Sequence, residues 1–209
     1  MSDQPIEVRA QSVGPWPMNA YALVCPVTRQ SALVDPGADP EALMALLEGT
    51  TPVAILLTHT HPDHVGALEI MRARLGVPLF AHPGPHFQGG ELQIDRVLAD
   101  GESFTLGEQT LRADYAPGHL DDMVCFVSAD GSAIIVGDTV FAGGPGRTAA
   151  PADFQTTLAT LRNVVLAWPD SAICYPGHGP SFRLGDLRGA IESFAEREHP
   201  VNFSGDAEW

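Results

Sequence analysis

Along the chain, apolar residues gather into short runs separated by glycine and proline. Runs suited to strands recur at 21–27 (YALVCPV), 31–35 (SALVD), 53–59 (VAILLTH), 78–82 (PLFAH), 104–116 (FTLGEQTLRADYA), 123–129 (MVCFVSA), 133–141 (AIIVGDTVF) and 172–178 (AICYPGH). Four segments read as helices. The first has Asp39 as N-cap, Pro40 at the first helical position and Gly49 just past its end. The second follows Asp63 and runs to Gly76, with Val65, Leu68, Met71 and Leu75 at near-helical spacing. A third begins near Asp153, aligns Phe154, Leu158, Leu161 and Val165, and stops at Trp168-Pro169. The last, near Asp186, carries Leu187, Ile191 and Phe194. The latter three each have one apolar stripe, so each should lie on a sheet. Strands in two batches, with one-faced helices against them, predict a layered α/β sandwich. The eighteen prolines and twenty-one glycines act as turn punctuation, with no repeat or linker among them. Residues 1–209 are therefore expected to form one domain, with VNFSGDAEW, from about residue 200, as a loose tail.

Composition narrows the function. With 44% hydrophobic residues, the 209-residue chain can bury a core. No apolar run is long enough to cross a bilayer, and MSDQPIEVRAQ lacks the charged-then-apolar pattern of a secretory signal. Cys25, Cys125 and Cys174 are few, odd in number and far apart, which fits buried thiols in a reducing compartment; a cytoplasmic location is expected. The net charge of −15 argues against nucleic acid or an anionic membrane surface as partner. All eleven basic residues are arginines, which excludes a Walker-type phosphate loop, a Schiff-base lysine and a lysine general base.

One segment concentrates the chemistry. In LLTHTHPDHVG (56–66), three histidines and an aspartate occupy the six positions 59–64. At the end of a strand, side chains two apart point the same way, so His59 and His61 can close on one ion. Pro62 keeps His61 extended and suits the first turn of the next helix. Asp63 and His64 are then aimed from that helix at a second, neighbouring point. Three further residues stand at strand ends beside turn residues: His119 in YAPGHLDD, Asp138 in AIIVGDTVF and His178 in AICYPGHGP. A carboxylate buried there, as Asp138 would be, is costly unless paired or bound to a metal. Active sites gather in loops at one edge of a sheet, which is where all of these fall.

THTHPDH, followed in order by PGH, GDTVF and PGHGP, resembles the metallo-β-lactamase superfamily, and in particular its glyoxalase II-like (hydroxyacylglutathione hydrolase-like) members. VGPWPMNAYALV, ALVDPGADPEAL and GGPGRT extend the likeness over most of the chain. The resemblance implies a four-layered αβ/βα sandwich with a two-metal site at one edge. By position, His59, His61 and His119 match the ligands of a first metal. Asp63, His64 and His178 match those of a second, and Asp138 matches the carboxylate bridging both. Two divalent ions are implied, zinc foremost, with iron and manganese as alternatives.

Two metals bridged by one carboxylate and one water would lower that water's pKa and give hydroxide near neutrality. Attack on an acyl carbon, with the oxyanion held by metal charge and Asp63 orienting the nucleophile or carrying its proton, is the chemistry of thioester and ester hydrolysis. The resemblance favours a small thioester. Arg147 and Arg183 are the candidate contacts for an anionic group, Trp16 in GPWPMN for an apolar wall, and His82 and His86 in AHPGPHF for the site's lining. The sequence holds no lysine, and is expected to differ from glyoxalase II in the additional C-terminal helical region as well. It also reads Leu120, Asp121, Asp122 after the PGH histidine, and Ala149 after Gly-Arg-Thr. Persulfide dioxygenases, which resemble the chain nearly as well, hold one iron at the positions of His59, His119 and Asp138. That activity, and a metal-binding module without turnover, are the competing readings. β-Lactam hydrolysis fits a cytosolic chain poorly, and nuclease activity conflicts with the acidic balance. A homodimer is left open.

Overall fold

The computed structural model describes residues 4–209. Among the described residues, twelve strands and five α-helices follow one another. β1 (Glu7–Val13), β2 (Met18–Val24) and β3 (Gln30–Val34) lead into α1 (Pro40–Leu46) and β4 (Thr51–Leu56). The chain continues through α2 (Pro62–Val65), α3 (Leu68–Leu75), β5 (Leu79–Ala81) and β6 (Arg96–Val97). β7 (Ser103–Leu106), β8 (Gln109–Tyr115), β9 (Val124–Ser128) and β10 (Ala133–Gly137) precede α4 (Pro151–Asn163), β11 (Ile173–Pro176), β12 (Phe182–Arg183) and α5 (Leu184–Glu196). Two six-stranded mixed sheets result, ordered β1-β2-β3-β4-β5-β6 and β12-β11-β10-β9-β8-β7.

The alternation of side chains along each strand explains the layers. Val34 and Leu56 pack with Phe104, Leu111, Phe126 and Ile135 of the other sheet, forming the core between the two. Their neighbours Leu33 and Ile55 point the other way, onto Leu43 of α1 and Leu68 and Met71 of α3. On the far side, Ile134 and Cys174 meet Phe154, Leu158 and Leu161 of α4 and Ile191 and Phe194 of α5. Helices, sheet, sheet, helices is the expected four-layered sandwich. All three cysteines are buried thiols. No helix among the described residues is long and apolar enough to cross a membrane.

Several local expectations are corrected. The 104–116 run is a hairpin, β7 and β8, turning at Gly107-Glu108. β1, whose pattern is weakly apolar, forms by pairing with β2 from Glu7↔Val24 to Val13↔Met18. The helix after Asp63 breaks into α2 and α3, where Ala67 N–H donates to the Pro36 carbonyl (2.9 Å). Asp39 precedes α1 with φ 51°, and its carboxylate accepts Gly14 N–H (2.8 Å) instead of capping the helix. α4 starts at Pro151, earlier than expected; Asp153 caps it by accepting Ala150 N–H (2.9 Å). α4 also ends at Asn163, before a short 3-10 turn over Val165–Ala167, and α5 starts at Leu184. The stretch expected to hang loose is docked: Gly205 and Thr148 exchange backbone hydrogen bonds, and Trp209 packs edge-on to Phe194.

Where strands run parallel, β3 with β4 and β10 with β11, their carboxyl ends open on one edge of the sandwich. Crevices beyond such ends are where open α/β sheets place ligands. Asp35, His59, Asp138 and His178 each lie within three residues after one of these four strands.

Candidate metal centre

The residues nominated from the sequence as ligands converge at that edge. His59 and His61 project from the end of β4, with His59 Nε2 3.1 Å from His61 Nδ1. His119, from the turn between β8 and β9, brings its Nε2 to 2.8 Å from the same His61 nitrogen. With Asp138 these three form one group whose ligand atoms all lie within 4.8 Å of one another. Asp63, His64 and His178 form another, in which His178 Nε2 sits 3.1 Å from Asp63 Oδ2. Asp138 lies between the two groups. Its Oδ1 is 3.6 Å from His64 Nε2, and its Oδ2 is 3.5 Å from His119 Nε2 and 3.7 Å from His178 Nε2.

The chain aims these rings from behind. His119 Nδ1–H donates to the Arg147 carbonyl (2.8 Å) and His178 Nδ1–H to the Pro17 carbonyl (3.0 Å), which leaves each Nε2 facing the cluster. His64 Nδ1–H donates to Asp35 Oδ2 (2.9 Å). Asp35 also accepts Thr58 N–H (2.8 Å) and the Thr58 hydroxyl (2.6 Å), and that hydroxyl oxygen in turn accepts His59 Nδ1–H (3.0 Å). One buried carboxylate thus orients a histidine of each group, the outer-shell arrangement that fixes tautomers at metal sites. Asp35 is an orienting residue of the cluster that the sequence reading passed over. Its signature is that of Asp138: a carboxylate closing an apolar strand, ALVD beside IIVGD.

The electrostatics divide the cluster. Burial, with neighbouring histidines, holds His59 far below the usual imidazole range and brings His119 down to about 3; burial also lowers His61. The hydrogen bond between Asp63 and His178 drops the carboxyl to about 2 and lifts the imidazole to about 9. Burial depresses His64, but its hydrogen bond to Asp35 and the surrounding carboxylates outweigh this and raise it. Asp138 is pushed up by burial.

The residues fit a pair of cations. His64 Nε2 and Asp138 Oδ1 are both buried, and neither has a hydrogen-bond partner among the described residues. Two such orphans facing each other across 3.6 Å need an explanation. A cation between lone pairs supplies one, and the donor set of imidazoles and carboxylates suits zinc or iron. Gly177 keeps the space clear: a Cβ there would lie 2.2 Å from Asp138 Oδ1 and 2.6 Å from His64 Cε1.

The remaining nominated residues scatter. Trp16, exposed on the β1–β2 turn, lines a cavity of about 160 Å³ with Gly37, Ala38, Pro62 and Asp63, beside the Asp63–His178 side. Arg147 stands at the rim, 3.6 Å from Asp206. His82 stacks on Tyr115 (4.6 Å), and the ring nitrogens of His86 lie 3.1 and 3.3 Å from the carbonyls of His82 and Gly90. Both are engaged in or beside their own loop. Arg183 is corrected: it pairs with Ile173 at the far end of β11 from His178, and its guanidinium donates to the Asp170 carbonyl. Of the departures after the PGH histidine, Asp122 is buried and accepts the Thr60 hydroxyl (2.5 Å). Thr60 Oγ1 accepts Phe87 N–H (2.8 Å), and the Phe87 ring meets His61 edge-on at 4.7 Å.

A two-sheet sandwich with an imidazole–carboxylate cluster at its strand ends defines a class, and residues 13–178 match it: the chain belongs to the metallo-beta-lactamase superfamily. It is 31% identical to the probable metallo-hydrolase YqgX of Bacillus subtilis (strain 168), over 82% of this chain and 90% of that protein. It is 33% identical to the probable hydroxyacylglutathione hydrolase glo2 of Schizosaccharomyces pombe, over 88% of this chain and 72% of the relative. Among solved structures, TTHA1623 in a di-iron-bound form is similar, with a TM-score of 0.72 and 32% identity over 87% of this chain and 97% of that one. The class these findings support is a metallo-hydrolase.

Proposed function

We propose that the protein is a dinuclear-metal-dependent hydrolase of a small thioester or ester, similar in chemistry to glyoxalase II. The observation that carries this reading is Asp138, grouped with His59, His61 and His119, 3.6 and 3.7 Å from His64 and His178 of the second group, and facing an equally unpartnered His64 nitrogen. In this reading His59, His61 and His119 would hold one ion, Asp63, His64 and His178 the other, and Asp138 would contribute to both. When bound, the pair supplies Lewis acidity and lowers the pKa of water. The chain does the rest. Asp63, held ionised beside His178, would orient the attacking oxygen or carry its proton. Trp16 would give the cleft beside Pro62 and Asp63 an apolar wall, and Arg147 would draw a negative group to the rim. The hydroxyacylglutathione hydrolase relatives favour a thioester of a small thiol as substrate.

The test is turnover by zinc-loaded and iron-loaded protein on a panel of S-acyl thiols, simple esters and lactones. Hydrolysis of a thioester at a kcat/KM well above that of the metal-stripped protein is expected. Absence of turnover on every member, or one iron per chain with oxygen uptake on a persulfide, overturns the reading.

A further inference from the structure

We propose that residues 205–209 form a clamp that positions His119, with Trp209 as its anchor. The loop over residues 141–148 has two faces. One face serves the metal centre: the Arg147 carbonyl accepts His119 Nδ1–H, and a Cβ on Gly146 would lie 1.9 Å from the Asp138 carbonyl and 3.0 Å from His119 Cβ. The other face is held by the 205–209 segment. Trp209 N–H donates to the Gly143 carbonyl (3.1 Å), and its indole N–H reaches the carbonyls of Phe141 (3.3 Å) and Ala142 (3.1 Å). At the loop's other end, Gly205 and Thr148 exchange backbone hydrogen bonds of 3.1 and 2.9 Å. Between these ties the fit is close, since a Cβ on Gly144 would lie 2.0 Å from the Ala207 carbonyl.

The clamp is itself anchored on α5. The Trp209 ring meets Phe194 edge-on at 5.2 Å, and Arg197 donates to the Glu208 carbonyl (3.1 Å). A partly buried aromatic edge, two donors of Trp209 shared among three consecutive carbonyls and a reciprocal backbone pair hold the loop at both ends. The exposed Asp206–Arg147 pair, at 3.6 Å, adds little to that. The loop is irregular backbone with Gly143, Gly144 and Gly146, so its own conformational entropy opposes the geometry that His119 needs. The segment restrains that freedom. Outer-shell groups that orient a ligand are worth roughly 10- to 100-fold in metal affinity. Trp209 is therefore a positioning residue, and the inference holds whatever acyl group is cleaved.

The test uses the full chain with Trp209→Ala and, independently, Gly144→Ala, which pushes on the segment from the loop side and leaves Trp209 in place. In the metal-free protein, the His119 Nδ1–H signal in imidazole nitrogen NMR should exchange with water at least about tenfold faster in both variants. Zinc affinity by chelator competition should fall about tenfold or more. Trp209→Phe keeps a ring against Phe194 without the N–H donor and should fall between. Val201→Ala, at an exposed position, should behave as wild type. Backbone hydrogen exchange over 205–209 reports whether the segment has been released. Release with unchanged His119 exchange and unchanged zinc affinity overturns the proposal. So does a segment that stays docked in both variants, because Trp209 would then not be its anchor.

Discussion

Asp35 and Asp138 occupy matching places, each a carboxylate just beyond a buried strand whose partner runs parallel, and they have opposite fates. Asp35 is satisfied: three donors, two from Thr58 and one from His64, close on its two oxygens. Asp138 is not, with one buried oxygen unpartnered among the described residues and the other no nearer than 3.5 Å to any imidazole nitrogen. On the proposed reading, the first carboxylate orients the site's histidines and the second is left for what the site binds. A buried charge is tolerated when hydrogen-bonded or metal-bound, and the two aspartates exemplify the two solutions.

Substitutions that remove one charge at a time should separate these roles. Asp138→Asn should lower kcat/KM at least about a thousandfold, the loss of several kcal/mol of metal-centred stabilisation. The same change should leave the metal-free protein as stable as wild type, or up to about 1 kcal/mol more stable, in denaturant titrations. A large loss of metal-free stability would break the comparison. Gly177→Ala places a methyl group against Asp138 and His64 and should weaken metal binding about a hundredfold without disturbing Asp35; chelator competition measures it.

Asp35→Asn presents an amide to three donors. It should destabilise the metal-free fold by about 2 kcal/mol and weaken metal binding 10- to 100-fold, the reverse of the stability result at Asp138. Trp16→Ala, outside the ligand set, should have the smallest effect: KM for a good thioester rising about threefold with kcat unchanged, as expected when only uniform binding is lost.

The same pair shows how far the sequence could be read. Asp138 was legible because GDTVF sits in a series of strand-end motifs with His119 and His178, and the crowding at 59–64 marked the edge of the sheet on which they meet. Asp35 carried the same strand-end signature but stood before Pro36-Gly37, where an aspartate reads equally well as a turn residue. Arg183 misled because it follows His178 by only five residues. The chain reverses there and runs back along β11, so that Arg183 pairs with Ile173 at the start of that strand, a strand length of four residues, or about 13 Å, from the end that carries His178. The docking of 205–209 left no mark in the local pattern, because its bonds run to loop carbonyls some 60 residues away. A layered α/β sandwich was legible from periodicity and its four layers from the family resemblance, whereas β1 owes its existence to pairing with β2 and lacks a clear pattern of its own.

The measurement that bears most directly on the account is the metal content of protein purified without added metal, then re-measured after dialysis against zinc. Two ions per chain, falling to one or none when Asp138 is changed to asparagine, is the predicted result. A wild-type chain that takes up no more than one ion, or whose uptake is indifferent to Asp138, would contradict it.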